Sequence, residues 1–454
     1  MDVLEQRTKR FTEGALLPVL LRLALPVIVS ITLQTLYQLV NAFWLGRVSA
    51  TAVAVVSVTT PLTLMLVVLG SGLSTAGLIL VAQFSGARNR AMVNRVAAQT
   101  LVMVIAVSLV LCGVGLVVTR PVLRAMSVAP DVFAGAAAYL AISYAGLSAS
   151  YAFVMGQSIL QGAGEVRFPL LVVAASVVLN AVLDPIFIFG WVGIAPLGVA
   201  GAAWATVASQ AVAAVIGIAP LFTGRYGIRI RSADFKIDPA LLRTSVSIGL
   251  PASIEQSTRT LASILLTGLA ARFGTAALAS FGLGMRIIML FFIPALGLAA
   301  ATATVVGQNL GAGLPERARE AARVSALFAF VTLTVGGLLF MLMAGAMARM
   351  LVPTDEVVAQ LATGFVLVVA PAFGIIAAQQ VFAGAFRGAG QTLQAMVLSL
   401  IMQWGFQLPI SFAFSTGSSL GLRALWWGFP LGNALALVVT LVWFHNSHWR
   451  AHTR

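Results

Sequence analysis

The chain has 454 residues, 60% hydrophobic and 9% charged, with a mean hydropathy of +1.01. Soluble domains carry about 25% charged residues, so this composition excludes a soluble enzyme or binding module and points to a bilayer as solvent. The formal net charge is +14, but no hydrophilic domain gathers those cations into a nucleic-acid surface.

Apolar runs long enough to cross about 30 Å of hydrocarbon begin near residues 15, 52, 96, 132, 168 and 198, then near 244, 276, 324, 357, 394 and 424. They predict an all-α integral membrane protein with twelve transmembrane helices, six in each half. Barrel strands would show short alternating segments instead. Lys9 and Arg10 precede the first run, as in a signal peptide. The run is too long and lacks a small-residue cleavage pattern, so it reads as the first spanning helix.

The single Cys112 falls in the third helix and cannot form an intrachain disulfide. Between the sixth and seventh helices, Tyr226 to about Arg243 holds four Arg or Lys and two Asp. It reads as a strap, dividing the chain into a lobe at 1–225, a linker at 226–243 and a second lobe at 244–454. His445, His448 and His452 have a spacing that could touch a metal, but they sit on the C-terminal tail and read as tail.

The two halves repeat. Leu25-Pro26 recurs as Leu250-Pro251, Arg47 as Arg272, and Gln83-x-x-Gly86-Ala87 as Gln308-x-x-Gly311-Ala312, all at a shift of 225. With one more residue inserted, Gln161-Gly162-Ala163-Gly164 returns as Arg387-Gly388-Ala389-Gly390. Repeated bundles in a membrane are a common build of secondary transporters. Pro26 and Pro251 take equivalent places in the first helix of each half, where a proline frees a carbonyl one turn earlier and kinks the helix.

Orientation follows from the cations. With a cytoplasmic N-terminus, nineteen of the 27 Lys and Arg lie in inner segments and six in outer ones. This positive-inside bias predicts that both termini face the cytoplasm of a cell membrane, and the charge also attracts anionic lipid.

Intramembrane charges point to function, because a carboxylate at a helix centre costs roughly 2.5–3.5 kcal/mol on insertion scales. Of thirteen acidic residues, Asp184 and Glu255 alone fall inside predicted spans. Asn180 and Asp184 are one turn apart and share a face, while Pro185 leaves the carbonyl of Ala181 without its helical donor. That oxygen set suits a proton or a small hard cation; the alternative is a carboxylate that bonds a helix end near the outer interface. Thr206, returning in the sixth helix, reaches similar depth. Glu255 precedes Arg259 by one turn, in the favourable order for an ion pair. The pair is either structural, or Glu255 serves coupling or substrate binding, with Arg286 in the eighth helix as a further member.

Taken together, Leu25-Pro26, the Gly86-Ala87 and Gly311-Ala312 turns, Gln161-Gly162-Ala163-Gly164, Asn180-x-x-x-Asp184-Pro185, Gly201-Ala202-Ala203-Trp204-Ala205-Thr206 and Gly249 to Gln256 resemble the multidrug and toxic compound extrusion (MATE) transporters. The resemblance covers nearly the whole chain. It implies two six-helix bundles forming a V and an efflux antiporter driven by protons or sodium. In the prokaryotic branch, it implies an N-lobe cation site at Asn41, Asn180, Asp184, Ala202 and Thr206.

One position departs from that pattern, since Asn41 stands where the branch has an Asp. A hard cation needs anionic oxygen to offset dehydration, whereas a proton needs one carboxylate. The expected coupling ion is therefore a proton rather than sodium, with coupling at Glu255 as a further alternative. Expected substrates are largely apolar, often cationic small molecules, carried by a monomer without a cofactor, catalytic residue or bound metal. A flippase for lipid-linked saccharides or another amphiphile is the alternative; it would favour more than twelve helices and a cationic central cavity, for which only Arg259 and Arg286 are available. A membrane enzyme would need a cluster of His, Cys or carboxylates at one face.

Overall fold

A computed structural model describes residues 3–193, 195–353, 355–417, 421–447 and Trp449. His448 and His452 of the tail lie outside them, and His445 is exposed in the last turn of the final helix.

The described residues form helices and no strands. The first half contains α1 (Val3–Glu13), α2 (Leu16–Gly46), α3 (Ala50–Gly86), α4 (Arg90–Ala125), α5 (Pro130–Ala145), α6 (Leu147–Gly162), α7 (Arg167–Phe189) and α8 (Val199–Thr223). The second contains α9 (Pro239–Ala271), α10 (Thr275–Gly311), α11 (Pro315–Leu351), α12 (Glu356–Val369), α13 (Phe373–Gly388), α14 (Thr392–Leu400), α15 (Leu408–Gly417) and α16 (Leu422–Asn446).

Among the described residues, ten helical spans are long and apolar enough to cross a membrane, and the bent pair α5 and α6, at 46°, makes eleven. Helix α9 is long enough at 33 residues, but Glu255, Gln256, Ser257, Thr258, Arg259 and Thr260 in its middle lower its hydropathy. With α9 counted, each half contributes six spans. Large apolar side chains cover the outside, Leu342 and Met350 each being 84% exposed. Such surfaces are stable where the surroundings are lipid rather than water.

The sequence repeat is a repeat of local geometry. Ala87 N–H donates to the carbonyl of Gln83 at 3.0 Å, and Ala312 N–H to that of Gln308 at 3.0 Å. The left-handed residue that follows is Arg88 in one half (φ 56°) and Gly313 in the other (φ 75°). A Cβ on Gly162 would lie 2.5 Å from the carbonyl of Leu78, and one on Gly388 would lie 2.3 Å from that of Ala303. Both helix pairs therefore approach at contacts only glycine permits. The fourth span of each half also breaks at equivalent points, at Gly146 between α5 and α6 and at Pro371 between α12 and α13.

Two compact units emerge. Among the described residues, the first holds 3–10 together with Val29–Ser253, and the second holds Phe11–Ile28 and those from Ile254 on. One boundary falls inside α1, and the other two each fall two residues beyond a proline, Pro26 in α2 and Pro251 in α9. In the first unit α3 packs on α4, α5 and α6, and α8 on α6 and α7, around Ile79, Leu80, Leu140, Tyr151 and Met155. The strap lies along α4: Arg95 pairs with Asp238 at 3.4 Å, Gln99 donates to the carbonyl of Lys236 at 3.0 Å, and Arg229 N–H donates to Asn94 at 2.9 Å. The last bond sets Arg229 at the same end of α4 as Arg88. In the second unit α13 packs on α10, α11 and α16, and Phe281, Phe365, Trp426 and Phe429 build an aromatic core.

Candidate functional site

Helix α7 carries the buried carboxylate of the first unit, and its start is fixed by charge. Glu165 accepts the Arg167 and Phe168 N–H groups at 2.9 and 3.0 Å, placing an anion where the helix dipole favours one. Arg7 pairs with its other oxygen. Further along, Asn180 and Asp184 are both fully buried, and Pro185 continues the helix without an N–H to donate to Ala181.

Helix α8 is pressed against this segment. A Cβ at Gly201 would come within 2.5 Å of the Phe187 backbone, so glycine there lets α7 and α8 meet at backbone distance. The next residue, Ala202, is fully buried, and its carbonyl accepts the Thr206 hydroxyl at 3.0 Å. Thr206 Oγ1 lies 2.6 Å from Tyr37 Oη, and Asn41 Nδ2 donates to the same phenol oxygen at 3.3 Å. Tyr37 and Asn41 are one turn apart on α2. Tyr139, from α5, and Tyr37 both lie within electrostatic reach of Asp184.

The acceptor inventory is uneven. Both carboxylate oxygens of Asp184, the Asn180 amide and the carbonyl oxygen of Asn41 are buried without a hydrogen-bond partner among the described residues. Buried polar atoms are normally paired, so this cluster has spare capacity for a proton or a small cation. It carries one acid, and no group of three His, Cys, Asp or Glu that could hold a metal occurs among the described residues.

Of the residues expected from sequence, the hydrogen bonds link Asn41, Thr206 and Ala202 through Tyr37. Asn180 and Asp184 share α7, which packs along α8. Tyr37 and Tyr139 were not foreseen. A signal existed for Tyr37, which precedes Asn41 by one helical turn.

The second unit has its own polar cluster. Glu255 is fully buried; its Oε1 lies 3.3 Å from Arg259 Nη2 and 3.9 Å from Arg387 Nη1, and accepts the Ser399 hydroxyl at 3.1 Å. Arg259 also donates to Gln380 at 3.4 Å. Arg286 is exposed and forms no hydrogen bond or ion pair in this cluster among the described residues. Arg387, which sequence placed at a turn, is the member that spacing did not reveal.

Repeated spanning helices around buried charges, one unpaired among the described residues and one in an ion-paired cluster, define a multi-pass membrane transporter. The MatE family profile matches the chain twice, over residues 26–186 and 251–413, and the two matches begin at Pro26 and Pro251. The chain belongs to the MatE family, the MATE transporters, whose members are transporters rather than enzymes. It is 26% identical to the probable multidrug resistance protein YoeA of Bacillus subtilis, over 94% of this chain and 92% of that one. It is 27% identical to the multidrug resistance protein PmpM of Pseudomonas aeruginosa, over 96% and 93%. A multidrug resistance MATE transporter of the MOP superfamily, solved in an outward-facing conformation, superposes with a TM-score of 0.87 at 26% identity, over 96% of each chain.

Proposed function

We propose that this protein is a proton-coupled antiporter that exports largely apolar, often cationic small molecules across a cell membrane. Multidrug resistance relatives over nearly the full length support drug export. The observation that carries the coupling ion is the fully buried Asp184, both of whose carboxylate oxygens have no hydrogen-bond partner among the described residues.

In this reading Asp184 alternates between protonated and ionised forms. A buried ionised carboxylate is costly without partners, so proton release favours a rearrangement of α2, α7 and α8 that brings donors to it, and proton uptake favours the reverse. Because the Thr206 hydroxyl donates to Ala202, the Tyr37 O–H donates to Thr206, and in this reading the rearrangement hands that phenol proton from Thr206 to the ionised carboxylate. Asn41 contributes an oxygen but no charge, which disfavours a dehydrated metal cation. The positive-inside distribution supports cytoplasmic termini, and substrate leaves on the opposite face in exchange for protons.

The test is dye efflux from reconstituted vesicles with proton and sodium gradients imposed separately. Efflux driven by the proton gradient alone is expected; efflux that requires sodium would overturn the assignment.

A further inference from the structure

We propose that the Glu255 cluster in the second unit is a ligand subsite for the carboxylate or phosphate group of an organic solute. The solute's route there rests on the export reading, but the test below is equilibrium binding and stands or falls separately.

The charge balance comes first. Two guanidiniums, Arg259 and Arg387, face one carboxylate, and all the recorded contacts converge on its Oε1. Among the described residues neither arginine pairs with a second acid, so the cluster holds an excess positive charge. Arg387 enters from the last turn of α13, where the helix dipole favours a cation, so the excess charge lies at that end of the helix and is open to an anionic group.

The donor inventory gives the same sign. Arg259 Nε and Gln380 Nε2 are both buried with no acceptor among the described residues. Gln380 is 6% exposed, and its amide orientation is set by Arg259, which donates to its oxygen. Two sealed donors beside an excess cation call for an anionic oxygen, and a guanidinium fork matches a carboxylate or phosphate geometrically.

Access is graded. The Glu255 side chain is 0% exposed, whereas those of Arg259 and Arg387 are 25% and 19% exposed. The acid is sealed behind two reachable cations. Arg387 is steadied by its own bond from Nε to the carbonyl of Ala383 at 3.3 Å. Ser399, which holds Glu255, leads into a π-helical turn at Ile401–Gln407, and the buried oxygens left unpaired, Glu255 Oε2 and Gln403 Oε1, are acceptors for an N–H or O–H of the same solute rather than for its anionic group. Such turns recur at functional sites because they widen the backbone locally. The subsite therefore extends the solutes handled from cations to zwitterions and organic anions.

The experiment uses the full chain in nanodiscs of zwitterionic phosphatidylcholine, with carboxyfluorescein as the anionic probe and tetramethylrhodamine methyl ester as the cationic one, both read by fluorescence anisotropy. Arg387→Gln should weaken carboxyfluorescein binding by roughly tenfold or more, the scale of a lost charged hydrogen bond, while Arg387→Lys retains most of it. Gln380→Leu should weaken it less. Glu255→Gln removes the competing carboxylate and should tighten it.

A merely structural ion pair predicts otherwise, since Arg387→Gln and Glu255→Gln would both lower the thermal midpoint and neither would change anion affinity in opposite directions. Unchanged carboxyfluorescein binding in both variants overturns the proposal, as does an equal loss for both probes. If Arg387→Gln does not fold, the opposite signs expected for Gln380→Leu and Glu255→Gln decide alone. Displacement of the dye by phosphatidylglycerol added to the nanodisc would assign the subsite to lipid and overturn the solute reading.

Discussion

The hydroxyls of Tyr37 and Thr206 lie 2.6 Å apart, joining α2 to α8 beside the helix that carries Asp184. Thr206 also bonds the carbonyl of Ala202 within its own helix, so the link runs from the α8 backbone to the α2 phenol and on to Asn41.

Removing either hydroxyl should loosen this link without emptying the core. Tyr37→Phe and Thr206→Val should each cost about 1 kcal/mol of stability, the usual net worth of a hydrogen bond. The double variant should cost less than their sum, because both lose the same bond. Thermal unfolding in detergent measures this, and strict additivity would show that the two hydroxyls do not act as a pair. Tyr37→Phe should also slow efflux more than it weakens drug binding.

Asn41 is the position where a charge can be added. Asn41→Asp places a second acid near Asp184, and neighbouring acids share a proton or jointly hold a metal ion. Sodium-dependent efflux should appear in this variant. Identical ion dependence in parent and variant would remove Asn41 from the site.

Close backbone approach gives a stability prediction with an internal control. Gly201→Ala and Gly388→Ala place a Cβ 2.5 and 2.3 Å from backbone atoms of a neighbouring helix, and should each cost roughly 1–3 kcal/mol, as overpacking does. Gly113 has nothing within 4 Å of an added Cβ, so Gly113→Ala should be neutral or stabilising by about 1 kcal/mol from helix propensity. Thermal midpoints of the three variants suffice.

Pro26 lies two residues before α2 passes from one compact unit to the other. Pro26→Ala should restore the helical hydrogen bond that proline forbids, stiffen α2 there, and slow transport while expression is unchanged. Parental transport rates would reduce Pro26 to a packing residue.

Much of this was legible in the sequence because its signals are periodic. The shift of 225 residues reports repeated turns, and the Asn180 to Asp184 spacing reports one helix face. Helix α9 is the instructive intermediate. The apolar run near residue 244 marks it as a span and the repeat with α2 supports that, although the polar run from Glu255 to Thr260 lowers its hydropathy below that of the other spans. Tyr139 was not legible, since tyrosine in an apolar run looks like core until its hydroxyl finds a partner, whereas Tyr37 carried a signal in its one-turn spacing from Asn41. Arg387 was missed for a different reason. It sits beside the Gly388-Ala389 turn, where a cation reads as a loop residue, but its guanidinium extends to the buried Glu255.

The central claim is that one buried carboxylate couples proton movement to export. The measurement that tests it most directly is dye efflux by Asp184→Asn in vesicles under an imposed proton gradient, alongside equilibrium dye binding. The account predicts that gradient-driven efflux is lost while dye binding survives in part, and that Glu255→Gln does less harm to efflux. Efflux by Asp184→Asn at the parental rate would contradict it.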